Sequence, residues 1–314
     1  MSPVLIALIT LGVLVCLWFA LNLMLLHIAC GRNDRFEKDF AKALRDPVFA
    51  DCQESIRQGV RYIKGANPQE VSVTSFDGLK LVGEFLPQRN ARGTVIMFHG
   101  WKSSPYVDFS AGLPYYQSLG LNALLVHQRA QGKSEGRFMT FGIRERHDVH
   151  AWVRWHEENF PETPVILVGL SMGASTVLMS CGEAFEPCVK GVIADCGFTS
   201  PHDIICKVMR SSHLPAKPLA ASLNIFTRLF AGFGLREYST VDAMKQMKLP
   251  LLLAHGERDG FVPCHMSQSA FDACVFEDKV FLCVPDATHG KSFLVQPEEY
   301  KTALREFFTR CLDQ

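Results

Sequence analysis

Short, nearly unbroken apolar runs recur along the second half of the chain and beyond, each ending at a glycine, a proline or a charged turn. They read "GTVIMFHG", "LNALLVHQ", "PVILVGLS", "VKGVIADCG", "LPLLLAHGERD" and "KVFLCVP". A strand with one wet face alternates apolar and polar residues. These runs do not alternate, so both of their faces must be covered. The stretches between them carry helical spacing: Tyr106 to Leu119, Arg144 to Asn159, Met172 to Glu183, Pro263 to Cys274 and Pro297 to Cys311. Buried strands alternating with helices specify an α/β fold, a mostly parallel sheet with helices on both faces. Ahead of them "VSVTSFDGLKLVGEFLP" reads as two strands about Asp77-Gly78, a hairpin signal.

One segment interrupts the alternation. From about 198 to 238 there is no strand pattern, only helical pieces with Pro201, Pro215 and Pro218 and the apolar stretch "LAASLNIFTRLFAGFGL". An insertion after a strand of an open α/β sheet sits above the C-terminal edge, where ligands bind. This predicts a short helical cap, with Phe226 and Phe230 as substrate-binding candidates on an apolar wall.

The N-terminus is of another kind. Pro3 to Ala29 holds no Lys, Arg, Asp or Glu. A helix needs about 20 apolar residues to cross the hydrocarbon core, and this run exceeds that. A cleaved signal peptide would carry a basic leader and a shorter apolar core; here only Met1 and Ser2 precede Pro3. "HIAC" before Gly31 resembles a lipoprotein cleavage box only faintly, because His27 stands where an aliphatic residue belongs. A buried core helix would show a polar stripe. The reading is an uncleaved N-terminal transmembrane anchor. Arg32, Arg35, Lys38, Lys42 and Arg45 follow it, which favours a cytoplasmic-facing domain.

The expected organisation is an anchor over 1–31, an amphipathic helical connector over 32–66, and a single large domain over 67–314. Lys plus Arg and Asp plus Glu number 32 each, so no basic excess argues for nucleic acid. The 11 cysteines include no C-x-x-C pair, so neither a zinc ribbon nor a redox motif is supported. So many unpaired thiols fit a reducing compartment.

Chemistry enters at "ILVGLSMGAS". Gly169, Ser171 and Gly173 form G-x-S-x-G between a buried strand and a helix, the pattern of a nucleophile elbow. A serine hydroxyl needs a base, and the base an orienting acid. In this fold the order is serine, acid, histidine. Asp259 follows the strand "LPLLLAHG", and His289 lies in the loop after "KVFLCVP". All three fall at C-terminal ends of parallel strands, hence on one edge. The competing acids are Asp195, one strand earlier, Glu257 in the turn, and Asp286 near His289. His265 belongs to a helix start, and His147, Asp148 and His150 to a polar helix face rather than a metal site. No cofactor is implied. An oxyanion needs two aimed donors. The backbone N–H of Met172 and that of Trp101, after "FHG", are the candidates, with His99 bridging loop groups.

"FHGW", "HQRAQGKSEG", "GLSMGA", "HGERDGFVP" and "DATHG" occur in the order and spacing of the α/β-hydrolases, and the chain resembles that superfamily from about Val71 onward. The last two motifs are similar to the serine-aminopeptidase and lysophospholipase-like branch. With the apolar N-terminus and "IADCGFTS", the whole resembles a bacterial membrane-anchored hydrolase of unassigned substrate. His127 and Gln128 stand where that branch often has an aspartate before the arginine, and the cap is short and apolar. The resemblance implies a serine hydrolase acting on a small-molecule or lipid-derived acyl ester or thioester. A peptidase or acyltransferase on the same residues, or a non-catalytic membrane-tethered binding protein, are the alternatives.

Overall fold

The computed structural model describes residues 2–33, 50 and 52–313. About half of the connector expected over 32–66, residues 34–49 and 51, lies outside the described residues.

The N-terminal helix α1 (Pro3–Cys30) begins at Ser2, whose hydroxyl accepts the Leu5 N–H at 3.3 Å, with proline at the first helical position. Its most apolar stretch has a mean hydropathy of 2.8 and none of it is buried. Only Asn22, Leu26 and Cys30 are buried, one residue per turn on a single stripe at the C-terminal end. After the undescribed stretch comes α2 (Gln53–Gly65), which buries Ile56, Val60 and Ile63.

The domain is one eight-stranded sheet. β1 (Gln69–Thr74) and β2 (Lys80–Leu86) form the antiparallel hairpin expected about Asp77-Gly78. β3 (Gly93–Phe98), β4 (Leu121–Val126), β5 (Val165–Leu170), β6 (Val189–Asp195), β7 (Leu251–Gly256) and β8 (Lys279–Val284) pair in parallel, in the order β1-β2-β4-β3-β5-β6-β7-β8. The helices are α3 (Pro105–Asp108), α4 (Leu113–Ser118), α5 (Glu145–Asn159), α6 (Met172–Ser180), α7 (Pro201–Ser211), α8 (Ala216–Phe226), α9 (Thr240–Met244), α10 (His265–Ala273), α11 (Ser292–Val295) and α12 (Pro297–Leu312). The single helix expected over Tyr106 to Leu119 is two short ones, because Pro114 opens a new first turn after Gly112.

The apolar runs divide between two faces. Ile96, Phe98, Leu124, Leu167 and Leu253 pack with Trp152 of α5 on one side. Val95, Met97, Leu125, Ile166 and Leu252 pack with Phe307 and Phe308 of α12 on the other. This is the period of a pleated strand covered twice. Between β6 and β7 the chain forms α7 and α8, the latter continuing into a π-helical turn, Thr227–Ala231. A third cluster joins these helices to α1: Leu26 and Cys30 pack with Phe198, Leu223, Phe226 and Phe233.

Candidate active site

Ser171 follows β5 directly and begins α6 with φ 54° and ψ −115°, a positive φ that a non-glycine residue holds only when its surroundings force it. The small neighbours follow from this turn. A Cβ on Gly173 would lie 1.8 Å from the Phe98 carbonyl oxygen, and one on Gly169 would lie 2.3 Å from that of Gly173. The elbow exists only because both positions lack side chains.

His289 Nε2 is 2.9 Å from Ser171 Oγ, and His289 Nδ1 is 2.6 Å from Asp259 Oδ2. An ionised carboxylate can only accept, so Nδ1 carries the proton and Nε2 accepts from the serine hydroxyl. Asp259 Oδ1 accepts the backbone N–H groups of Phe261 and Val262, each at 2.8 Å. Burial alone would raise its pKa. Hydrogen bonds from His255, His289 and the Val262 N–H outweigh burial and hold the carboxyl well below the usual carboxylate range. The structure thus brings Ser171, His289 and Asp259 together.

None of the competing acids bonds His289, although Asp195 lines the same cavity. Asp195 is buried and accepts from Ser292 Oγ at 3.0 Å, while its backbone carbonyl takes the Ser171 N–H at 2.8 Å. Burial raises its carboxyl pKa. Glu257 is exposed, and Asp286 pairs with Arg258 at 2.6 Å. Asp148 holds Arg129, while His147 and His150 both face Glu183, at 3.4 and 4.0 Å, and His150 also meets the Ser180 carbonyl at 3.2 Å, so the two histidines share an acidic neighbour that Asp148, turned to Arg129, does not join. Cys196, Asp259 and His289 do place ligand atoms within 4.8 Å of one another. A metal there would break the Asp259–His289 bond and need the thiolate of Cys196, whose pKa burial pushes well up. The geometry suits proton transfer instead.

His99 donates from Nδ1 to the Gly100 carbonyl at 2.9 Å and accepts the Gln128 N–H at 3.3 Å. Burial pushes its pKa down to about 3, so the imidazole is neutral and bridges loop groups. The Met172 N–H sits at the first position of α6 and has no carbonyl within that helix to bond. Trp101, half-buried, lines the cavity.

That cavity is about 730 Å³, with Ser171 and His289 in its lining beside Trp101, Val168, Phe261 and Phe293. Phe226 and Phe230, expected to line it, lie elsewhere. Phe226 is 1% exposed and packs against Trp18 of α1 edge-on and Phe19 at a tilt, with ring centroids 5.3 and 5.2 Å away, and Phe230 lies 6.3 Å from Phe19. These rings seat the N-terminal helix rather than a substrate. They do so because Leu26 and Cys30 already bring α1 down on that face of the cap.

Sequence reasoning missed Asp108. It lines the cavity, accepts the Gly100 N–H at 2.6 Å and the Ser103 hydroxyl at 2.5 Å, and is pushed up to about 6 by burial, its two hydrogen bonds offsetting part of the rise. Its only signal was Ser104, four residues before it at a helix start. His255, the fourth-last residue before Asp259, was also missed; it lies within a strand that reads as plain core.

No family model matches the chain. It is 22% identical to the uncharacterised protein YqkD of Bacillus subtilis (strain 168) over 308 residues, covering 98% of each. It is 26% identical to the uncharacterised protein YfhR of Escherichia coli (strain K12) over 244 residues, 74% of this chain and 78% of that one. Among solved structures it is similar to the Pyrococcus furiosus esterase Pf2001, with a TM-score of 0.66 and 28% identity over 79% of this chain and 94% of that chain. Mouse alpha/beta hydrolase domain-containing protein 10 superposes with a TM-score of 0.56 at 17% identity, covering 77% and 99%.

Proposed function

We propose that this chain, an α/β hydrolase by fold, is a membrane-anchored serine hydrolase that cleaves an acyl ester or thioester through an acyl-enzyme. The observation that carries the reading is the chain of contacts Ser171 Oγ to His289 Nε2 at 2.9 Å and His289 Nδ1 to Asp259 Oδ2 at 2.6 Å, opening on the cavity. The esterase likeness of Pf2001 supports the same class.

In this mechanism Ser171 Oγ attacks the acyl carbonyl as His289 Nε2 takes its proton. Asp259 keeps the imidazole in the tautomer that can do so and stabilises the imidazolium. The Met172 and Trp101 N–H groups receive the oxyanion. His289 then returns the proton to the departing alkoxide or thiolate, and water repeats the sequence to release the acid. The helix α1 serves as an anchor with the domain on the cytoplasmic side, over the division 1–31, 32–66 and 67–314 with a cap at about 198–238.

The test is activity-based labelling. Wild-type protein should be modified by a fluorophosphonate probe and hydrolyse p-nitrophenyl esters, and Ser171→Ala should do neither. Equal labelling of both removes Ser171 from the role. Folded wild type that neither labels nor turns over is a binding protein.

A further inference from the structure

We infer that the last turn of α1 is part of the active site: it holds the loop carrying Trp101, walls the cavity mouth, and guides a long acyl chain from the bilayer leaflet to Ser171. The inference rests on the serine-hydrolase reading and names its substrate class, acyl esters whose chain stays in the membrane.

The end of a helix leaves its last four carbonyls without intrahelical partners. A helix serving only as a tether would leave them to water. Here the last three find partners in the domain, and the first keeps the helix's own i+4 bond. The His27 carbonyl accepts the Gly31 N–H at 2.9 Å, and the Cys30 carbonyl accepts the Met139 N–H at 2.7 Å. The Ile28 carbonyl accepts Lys102 Nζ, and the Ala29 carbonyl accepts Trp101 Nε1, both at 2.7 Å. Asn33 Nδ2 closes the joint by donating to the Lys102 carbonyl at 3.1 Å. The loop that presents the second oxyanion donor is therefore bonded to the membrane helix through adjacent residues, Trp101 and Lys102.

The same turn faces the cavity. His27 and Ile28 line it, and Ile28 remains 52% exposed, as befits a position at the mouth. Counting back along one helical stripe from Ile28 gives Met24, Leu21 and Leu17, 51%, 39% and 62% exposed. An unbroken apolar track thus runs from the mouth along α1 into the region where lipid tails lie. A substrate drawn along it keeps its chain in hydrocarbon and offers only the ester to Ser171. That avoids the cost of about 0.8 kcal/mol for each methylene exposed to water.

The experiment uses the full chain in phosphatidylcholine vesicles and a hexadecyl fluorophosphonate carrying a diazirine at the far end of its alkyl chain. After labelling of Ser171 and irradiation, the cross-link should map to α1 between Leu17 and Ile28. Cross-links on the α8 peptide around Phe226, or spread over the domain, overturn the inference while leaving the hydrolase reading intact. No labelling at Ser171 overturns both. A second arm compares p-nitrophenyl dodecanoate with the acetate. Ile28→Trp should lower the dodecanoate-to-acetate ratio of kcat/KM at least tenfold, and Val15→Trp, far up the helix, should leave that ratio within twofold. An unchanged ratio in Ile28→Trp refutes the guiding role. Trp101→Phe keeps the ring and removes the donor to Ala29. It should lower kcat for both esters about tenfold with KM little changed, as expected when only a transition-state contact is lost; unchanged kcat refutes the loop's dependence on α1.

Discussion

His255 Nε2 lies 3.3 Å from Asp259 Oδ2, the oxygen that accepts the His289 Nδ1–H at 2.6 Å. His255, on β7, is fully buried against α10, with Nε2 donating to the Val262 carbonyl at 2.8 Å and Nδ1 meeting Ser267 Oγ at 2.7 Å. The acid is thus fixed from behind by an imidazole and from the side by two amides. Asp259→Asn should cost on the order of 10⁴ in kcat, the loss typical when the orienting acid of such a triad is neutralised. Asp195→Asn, whose side chain serves Ser292, should cost far less. Steady-state kinetics of the two variants decide it: similar losses would move the acid's role.

Removing His255 tests the support itself. His255→Phe keeps a ring of similar bulk but leaves the Val262 carbonyl without its donor, while the Ser267 hydroxyl keeps its bond to the Gly197 carbonyl at 3.1 Å. Buried groups left unpaired cost about 1–3 kcal/mol each. The variant should lose stability in urea titration by that order and also turn over more slowly. Lower stability with untouched kcat would show that Asp259 is held well enough by the Phe261 and Val262 amides.

Arg129 answers for the "HQRAQGKSEG" motif. Its guanidinium is 2% exposed, bonds Asp148 twice at 2.7 Å, and reaches Asp77 at 2.9 and 3.1 Å. These bonds tie the hairpin turn to α5 below the site. Arg129→Met should cost roughly 3–5 kcal/mol, because it strands a buried carboxylate. Arg129→Lys should also be destabilising, since an ammonium cannot make the paired contact. The urea midpoints check both; a lysine variant equal to wild type would show that only the charge matters.

Strand ends were legible because a buried run can stop only at a few residue types, and Ser171, Asp259 and His289 each sit at such a stop. The elbow was legible because Gly169 and Gly173 admit no side chain. Strand order was not, since β4 inserts between β2 and β3 by packing that no local pattern records. Asp108 was hidden in a helix too short to show a period. The destination of Phe226 and Phe230 was hidden for another reason. Their apolar character fits a substrate wall and a helix seat equally well, and the seat depends on α1, some two hundred residues away in sequence.

Asp108 makes a pH prediction. Burial pushes its carboxyl up to about 6, against about 3.9 for an unfolded aspartate. The fold therefore favours the protonated form. Between about pH 4 and 6 the unfolded chain releases this proton first, so the Asp108 contribution to stability falls as pH rises and then stays flat. Asp108→Asn keeps an acceptor for the Gly100 N–H without the buried charge. Its Tm relative to wild type should rise between pH 4 and pH 7. A difference that stays constant with pH would mean that the cavity solvates the carboxylate.

The aromatic seat of α1 gives the last prediction. Trp18 meets Phe226 edge-on, with 5.3 Å between centroids and 73° between ring planes. Phe19 packs on the same ring at 5.2 Å. Phe226→Ala empties a buried position and should cost about 3–5 kcal/mol. Trp18→Ala should cost less, because Trp18 is 44% exposed. The two should not add. A double-mutant cycle should return a coupling of about 0.5–1.5 kcal/mol, the usual worth of an aromatic pair beyond its buried area. Dodecanoyl and acetyl ester turnover should fall together in Phe226→Ala, since the ring lies outside the cavity lining. A loss confined to the long ester, with additive stabilities, would return Phe226 to the substrate wall.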